Sequence, residues 1–303
     1  MPEAFDVAVP ASSANLGPGF DAIGLALNLW VRASVRPAAS FSLGFSPGRH
    51  APTNPGFGNE ILRGLDAVLD GARPAVAIEV RNDIPLGKGL GASAAGAVLG
   101  LVAGAEMAPR RPSAERLAQL ATELEGHPDN ALPALLGGIV VAAQREGAPP
   151  AFLRFAAPPK LAAVVVTPHI VLPTAAARAL LPASYERRDA VFNIQRAALL
   201  AASLARGDLR FLRAASEDRI HQPYRAPLVP GFEAMLGLAL PGLYAVTLSG
   251  AGPSVLALVA TADDAAGVAV GEALAAEFAR EGIESDIYRL AIASQGAYAA
   301  IAR

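Results

Sequence analysis

Three glycines fall within five residues in Pro85-Leu-Gly-Lys-Gly-Leu-Gly-Ala-Ser-Ala-Ala95, and small helix-compatible residues follow them. The apolar, β-rich segment Val76 to Val80 stands just before. A strand, a glycine-rich loop and a helix start, in that order, bring backbone N–H groups close to a phosphate, and the helix N-terminus adds partial positive charge. Nucleotide phosphate is the first hypothesis. The P-loop pattern does not apply, because Lys88 lies inside the glycine cluster and no Ser or Thr follows it. The dinucleotide fingerprint G-x-G-x-x-G/A fits Gly87 to Ala92, with Glu106 about 20 residues on. A chain with 29 glycines meets so short a pattern by chance. A loop whose glycines serve only its turn is the plain alternative.

Four further groups of residues carry chemistry. Ser249-Gly-Ala-Gly-Pro-Ser254 is a second glycine loop. Alone it reads equally as a tight hairpin turn; with Pro85 to Ala95 it suggests two loops around one polyphosphate. Pro10 to Asp21 is a polar loop in which Asn15 and Asp21 suit a small polar ligand, although Asn, Asp and Gly also favour plain turns. Glu125-Gly-His-Pro-Asp-Asn130 places polar side chains at a helix end. His127 and Asp129 suit acid–base work or ligand binding, against the alternative of a C-cap glycine and a polar turn. Glu123 projects with Arg116 and Gln119 on the polar side of that helix, whereas Glu125 lies in line with Ala118 and Ala121 on its small, inward side. Glu125 is thus the better candidate for a buried metal ligand. Magnesium takes only one or two protein oxygens beside phosphates and waters, so Ser93 and Glu125 suffice. Arg178 and Arg225 together suit a carboxylate held by bidentate hydrogen bonds; most arginines are solvated surface, and that reading stands beside it.

These groups need a scaffold. The chain has 303 residues, which suits two domains or one large one. Apolar residues make up 53% and charged ones 17%, so a sizeable core is expected and disorder is not. The net charge of −2, without a Lys/Arg block, disfavours nucleic acid as a partner. The absence of cysteine excludes disulfides, thiolate catalysis and Cys-ligated zinc. No signal peptide is apparent, and the apolar tracts Leu161 to Val166 and Ala197 to Ala205 are too short to span a bilayer. A cytoplasmic protein without a membrane partner is expected.

Alternation predicts strands at Phe5 to Val9, ended by Pro10, and at Leu25 to Val35, stopped by Pro37. Helices are expected at Asn59 to Leu69, at Ala92 to Ala105, and after the cap Ser113 with the stripe Leu117, Leu120, Ala121 and Leu124. Val76 to Val80 and Gly137 to Ala143 read as strands. The Pro- and Ala-rich stretch Gly147 to Pro159 is the best domain boundary, giving domains 1–156 and 157–303. Beyond it come a strand (Leu161 to Thr167), helices between Thr174 and Arg213, two strands (Leu243 to Leu248, Val255 to Val259), a long helix (Asp264 to Glu281) and a last strand (Ser285 to Leu290). That order, β-α-β-β-α-β, is the ferredoxin-like arrangement with extra helices in its first crossover.

In this set and order, the loops resemble those of the GHMP kinase superfamily of small-molecule kinases. Within it the chain is most similar to the branch whose acceptor is L-homoserine. The residues that carry this are the stretch ending Gly-Pro-Gly-Phe-Asp21, Glu125 to Asn130, Leu172 to Arg178, Asp189-Ala-Val-Phe-Asn193 and His221-Gln-Pro-Tyr-Arg225. The resemblance covers essentially the whole chain. It implies an α+β, two-domain fold: an N-terminal, ATP-binding domain like a ribosomal protein and a ferredoxin-like C-terminal domain. It implies ATP phosphates on Pro85, Leu86, Gly87, Lys88, Gly89, Leu90, Gly91, Ala92, Ser93, Ala94 and Ala95. Asn59 would lie on the adenine side, Ser249, Gly250 and Gly252 at the second loop, and Mg2+ near Ser93 and Glu125. L-Homoserine would contact Asn15, Asp21, His127, Asp129, Asn130, Thr174, Arg178 and Arg225. In this reading the arginines take the carboxylate and Asp21 the ammonium. Asn15 or Asp129 orients the hydroxyl, and Lys88 with magnesium offsets phosphate charge. The resemblance leaves room for a homodimer. One departure is Ala92, where the superfamily loop usually carries the first of two serines.

Overall fold

The computed structural model describes residues 3–50, 55–172, 174–260 and 264–301. Among these residues the strands form two sheets. The first has seven strands: β1 (Phe5–Ala14), β2 (Ile23–Pro37), β3 (Ser42–Phe45), β4 (Val76–Asn82), β5 (Ile139–Arg145), β6 (Ala148–Phe155) and β11 (Tyr298–Ile301). Its main path runs β11-β1-β2-β4-β3, and β5 joins β2 to the edge strand β6. The second runs β10-β7-β9-β8, from β7 (Ala162–Pro168), β8 (Leu243–Leu248), β9 (Val255–Val259) and β10 (Ser285–Ala291). This is the expected ferredoxin-like order.

Four helices belong with the first sheet: α1 (Pro55–Leu69), α2 (Ala92–Met107), α3 (Ala114–Glu125) and α4 (Pro128–Leu136). Helix α2 is apolar on every side and buried from Ala94 to Ala105, the pattern of a central helix. It lies unusually close to α1. A Cβ on Gly64 would come within 2.1 Å of the Ala97 carbonyl, and one on Gly100 within 2.0 Å of that of Ile61. Glycine at both positions lets the backbones meet. The crossover between β7 and β8 holds α5 (Thr174–Ala179), α6 (Arg187–Arg206), α7 (Leu212–Ala215), α8 (Gln222–Arg225) and α9 (Phe232–Leu236); α10 (Asp264–Arg280) follows β9. Along β7 the side chains alternate: Ala163 and Val165 join the core shared with the first sheet, while Val164 and Val166 pack with Val270, Leu274 and Phe278 of α10.

The structure differs from the sequence expectations at particular places. Pro10 does not end β1. The register shifts between Pro10 and Ala11, and the strand continues to Ala14, so a bulge absorbs the missing N–H. The stretch read as the domain boundary after Gly147 contains β6. Its prolines are tolerated because β6 pairs on one side only, with β5. The last described residues return to the first sheet, Phe5 opposite Ile301 and Ala8 opposite Tyr298. Sheet membership therefore does not follow a single cut at 156/157. Asn59 lies in the second turn of α1, which begins at Pro55, and its side chain is exposed.

Candidate active site

The expected phosphate loop leads into α2 through alternating left-handed glycines, Gly87 (φ 68°), Gly89 (φ 76°) and Gly91 (φ 65°). No side chain caps α2, and its first intrahelical bond runs from Ala95 N–H to the Gly91 carbonyl. The amides of Ala92, Ser93 and Ala94 are thus the unpaired donors of a helix N-terminus, aimed out of the first turn. The loop is held from two sides. A Cβ on Gly89 would sit 2.2 Å from the Ser249 carbonyl, and one on Gly91 2.0 Å from Ser12 Oγ. Ser249 Oγ donates to the Gly89 carbonyl at 2.6 Å and meets Ser13 Oγ at 2.8 Å. The two glycine loops are therefore one structure, joined by the hydroxyl of Ser249, a residue the sequence reading placed at the second loop, and braced by that of Ser13, which it did not assign.

A cavity of about 110 Å3 opens beside this loop. Asn15, Asp21, Ser93, Glu125, His127, Asp129, Asn130, Arg178 and Arg225 line it, together with Gly87, Lys88, Gly89, Gly91, Ala92 and Gly250. Most of the expected site is thereby brought to one place. Thr174 opens α5, but its side chain lies outside what is described; Asn59 is not among the lining residues.

Within the cavity several of the expected side chains already have partners in the protein itself. Asn15 already uses both ends of its amide: Nδ2 donates to the Gly250 carbonyl at 2.9 Å, and Oδ1 accepts from Asp21 N–H at 3.0 Å. It is a strut that braces its own loop, where Asn15, Leu16, Gly17 and Asp21 all have positive φ. Asp21 and Arg178, expected to take opposite ends of a substrate, hold each other through two hydrogen bonds of 2.8 and 3.0 Å. That hydrogen bond to Asp21 raises the Arg178 pKa. Lys88 does not reach toward the loop's amides. Its Nζ donates to the carbonyls of Pro168 (2.8 Å) and Ile170 (2.6 Å) at the end of β7, and burial lowers its pKa. A flexible ammonium takes the nearest bare carbonyls, so Lys88 ties the loop to the second domain.

Helix α4 was not anticipated; the sequence there reads as a polar turn. Pro128 at the first helical position starts it, with His127 as the preceding cap. Gly24 of β2 makes room, since a Cβ there would lie 1.7 Å from the Asp129 carbonyl. Asp129 is buried, 1% exposed, and its Oδ1 lies 2.5 Å from His127 Nδ1. Burial alone would lower the His127 pKa. The hydrogen bond and charge of Asp129, with Glu125 and Asp21 adding, outweigh it, and the pKa is raised. Asn130 Oδ1 accepts from Ser12 Oγ at 3.0 Å, which joins α4 to β1 beside Gly91.

Glu125 and Glu123 part as their helix faces require. Glu123 is exposed and bonded to Gln119. Glu125 faces the cavity, and burial, with Asp129 and Glu60 nearby, pushes its pKa up to about 7. Glu125 is half-buried and has no ion pair among the described residues; with the Ser93 hydroxyl lining the same cavity, it offers a hard oxygen donor set of the kind magnesium takes. Arg225 is 1% exposed and its pKa is lowered, by burial first and then by Arg178. Phe20 lies under both guanidiniums, each 5.4 Å from its ring centre. Neither Phe20 nor His221, which touches Arg225, was assigned a role from sequence. The clue was present only in retrospect, as an aromatic and a histidine beside residues already chosen.

Two family descriptions match the chain: "GHMP kinases N terminal domain" over residues 59–138 and "GHMP kinases C terminal" over residues 200–279. A homoserine kinase of Solibacter usitatus is 46% identical over 83% of this chain and 84% of its own. One of Moorella thermoacetica is 41% identical over 96% of this chain and 98% of its own. Among solved structures, a homoserine kinase from Cytophaga hutchinsonii superposes with a TM-score of 0.85, at 28% identity, over 99% of this chain and 98% of its own. A Leishmania major mevalonate kinase in complex with R-mevalonate shares the fold at a TM-score of 0.67 and 16% identity, covering 94% of each chain.

Proposed function

Because the chain belongs to the GHMP kinases and, among them, to the homoserine kinases, we propose a division of labour in its cavity for that reaction. The activity is ATP-dependent phosphorylation of a side-chain hydroxyl: ATP + L-homoserine → ADP + O-phospho-L-homoserine, a step of threonine biosynthesis. No helix among the described residues is long and apolar enough to cross a membrane, and we assign the enzyme to the cytoplasm.

The observation that carries the reading is the meeting, in one cavity, of α2's unpaired amides with an acidic and a guanidinium group that fit a zwitterion. The amides of Ala92, Ser93 and Ala94 hold ATP phosphate, so Ala92 costs the loop a hydroxyl but no backbone donor. Ser93 Oγ and the Glu125 carboxylate would hold Mg2+, which would supply positive charge against the phosphates. Arg225 and Arg178 take the homoserine carboxylate, and Asp21 takes its ammonium. The substrate thus replaces the Asp21–Arg178 pair by two pairs of its own. Asp129, fixed by His127, accepts the hydrogen bond of the substrate hydroxyl and points its oxygen along the line of transfer. Phosphoryl transfer asks mainly for such positioning and charge neutralisation. His127 already occupies one oxygen of Asp129, which favours an orienting role over that of a base.

An ADP-release assay across homoserine, threonine, serine and mevalonate tests the reading. Efficient turnover is expected with homoserine alone. Mevalonate lacks the ammonium that Asp21 requires, and its efficient use would overturn the substrate assignment.

A further inference from the structure

His221 is completely buried, behind Phe20 and Arg225 of the cavity wall. Its Nε2 is 2.8 Å from the Gly17 carbonyl, and its Nδ1 is 3.1 Å from Arg225 Nη1. A guanidinium can only donate, so Nδ1 must present a lone pair to it, and the ring proton must sit on Nε2, where it donates to Gly17. The ring is therefore neutral, in one tautomer, with both nitrogens committed. Phe20 stacks on it at 5.2 Å. The Asp218 carboxylate, also buried, lies 3.5 Å from Nε2, but accepts from the backbone N–H groups of His221 (2.9 Å) and Gln222 (2.6 Å).

Both partners matter to the substrate. Gly17 belongs to the left-handed run after Asn15, and that run is wedged against α7: a Cβ on Gly17 would lie 2.2 Å from the Ser216 carbonyl. Arg225 is otherwise held by longer bonds, Nε to the Ala177 carbonyl at 3.3 Å and Nη1 to that of Gly250 at 3.4 Å. Its Nη2 takes no protein partner among the described residues, on a side chain that lines the cavity.

We propose that His221 is a positioning residue for substrate recognition. Its Nδ1 fixes Arg225 Nη1, so that Nη2 is presented to the substrate carboxylate, and its Nε2–H locks that arginine to the loop carrying Asn15 and Asp21. The proposal rests on the reading that Arg225 holds the carboxylate, and it adds a residue that makes no substrate contact.

Two variants separate the two nitrogens. In His221→Asn the amide oxygen stands near the place of Nδ1 and still accepts from Arg225, while the bond to Gly17 is lost. In His221→Gln the amide reaches Gly17, while Arg225 loses its acceptor. Each is assayed with homoserine and with 2-amino-1,4-butanediol, which replaces the carboxylate by a hydroxymethyl group. His221→Gln should raise the homoserine KM about tenfold or more, the loss of one hydrogen bond to a charged group, with ATP KM little changed. His221→Asn should stay within about threefold, less than the loss of a full hydrogen bond. With the diol, His221→Gln should match the wild type. Equal homoserine KM values in the two variants, or an equal penalty with the diol, would mean a merely structural role and overturn the proposal. Arg225→Ala, run beside them, separates the two claims. If it discriminates homoserine from the diol and His221→Gln does not, the His221 assignment alone falls. If neither discriminates, the carboxylate reading falls with it. Should both histidine variants fail to fold, 15N NMR of the wild-type ring still decides. The Nε2–H tautomer with an accepting Nδ1 is expected, and a charged ring or the Nδ1–H tautomer contradicts the proposal.

Discussion

Asp21 and Arg178 neutralise each other across the mouth of the cavity, at side-chain exposures of 32% and 43%. At that exposure the pair contributes only about 0.5–1 kcal/mol to the empty enzyme, and salt weakens it further. Breaking it therefore costs the substrate little, provided the substrate brings both charges. Arg178→Ala should leave thermal stability within a degree or two and raise the homoserine KM about tenfold or more, as loss of a partially desolvated clamp does. The ATP KM should hardly move, and steady-state kinetics with each substrate varied will test this. Lysine should rescue Arg178 poorly, because one ammonium cannot reproduce a planar fork. Glu125 gives a prediction that needs no substrate. Its pKa is raised from 4.5 to about 7 by burial first, so the folded chain keeps a proton that the unfolded chain releases. Its contribution is full below the unfolded value and is lost as pH rises through the folded one. Metal-free Glu125→Gln should therefore match the wild type near pH 4 and exceed it at pH 8 by up to about 2 kcal/mol, allowing for partial exposure. Denaturant melts at the two pH values decide this, and Glu123→Gln is the silent control. The sequence already separated these two glutamates by helix face, and it named every lining residue of the cavity except Ala14, Phe20 and Ala251. It could not show that Asn15 and Lys88 spend their polar atoms on carbonyls of Gly250, Pro168 and Ile170. Those partners are far away in the chain, and a polar side chain advertises its capacity to bond, not its partner.

At the level of elements, the proposed phosphate loop rests on three glycines in conformations that other residues adopt at a cost, and they are not equivalent. Gly87 has φ 68°, and a Cβ there would meet nothing within 4 Å, whereas a Cβ on Gly89 would meet two backbone carbonyls of the second glycine loop. Gly87→Ala should cost about 1–2 kcal/mol, the strain of the left-handed conformation alone. Gly89→Ala must also push Ser249 and Gly252 away. It should destabilise clearly more and raise the ATP KM severalfold, because the loop can no longer dock. Equal effects of the two substitutions would show that the second loop does not brace the first. The elements themselves were legible where periodicity is strong. The strands Val76–Asn82 and Leu243–Leu248 and the helices Ala92–Met107 and Asp264–Arg280 lie within a few residues of expectation. Elements were missed where local chemistry conflicts with tertiary pairing. Prolines hid the edge strand Ala148–Phe155 and made helix Pro128–Leu136 look like a turn, although proline suits both an edge and a first helical position.

Across the whole molecule, the two sheets are laced together in ways that a linear division of the chain hides. Tyr298–Ile301 closes the edge of β1 from the far end of the chain through four register pairs, and Tyr298 packs edge-on against Trp30. Deleting the chain from Tyr298 onward should destabilise the first sheet by a few kcal/mol, at about 0.5–1.5 kcal/mol per lost hydrogen bond. Hydrogen exchange should then rise first along β1, while β9 stays protected. Lys88 is the second lace. Its ammonium spans from the phosphate loop to the carbonyls of Pro168 and Ile170, where β7 runs out. Lysine is also the residue expected to offset phosphate charge, so two roles compete for it, and they make opposite predictions. As a tether, Lys88→Met removes two hydrogen bonds between the loop and the second domain but takes no charge from the phosphates. Melting temperature should fall by several degrees, and kcat should drop less than tenfold, in keeping with about 1.5–3 kcal/mol for each hydrogen bond to a charged group. As a phosphate ligand, the same substitution would leave stability unchanged or improved, since it also removes a partly buried ammonium, and would cut kcat by a thousandfold or so, as loss of transition-state charge stabilisation does. The tether is expected: both carbonyls are already within hydrogen-bond distance, and moving Nζ to a phosphate would strip them of their donor. A collapse of kcat without loss of stability would show that Lys88 releases β7 when ATP binds.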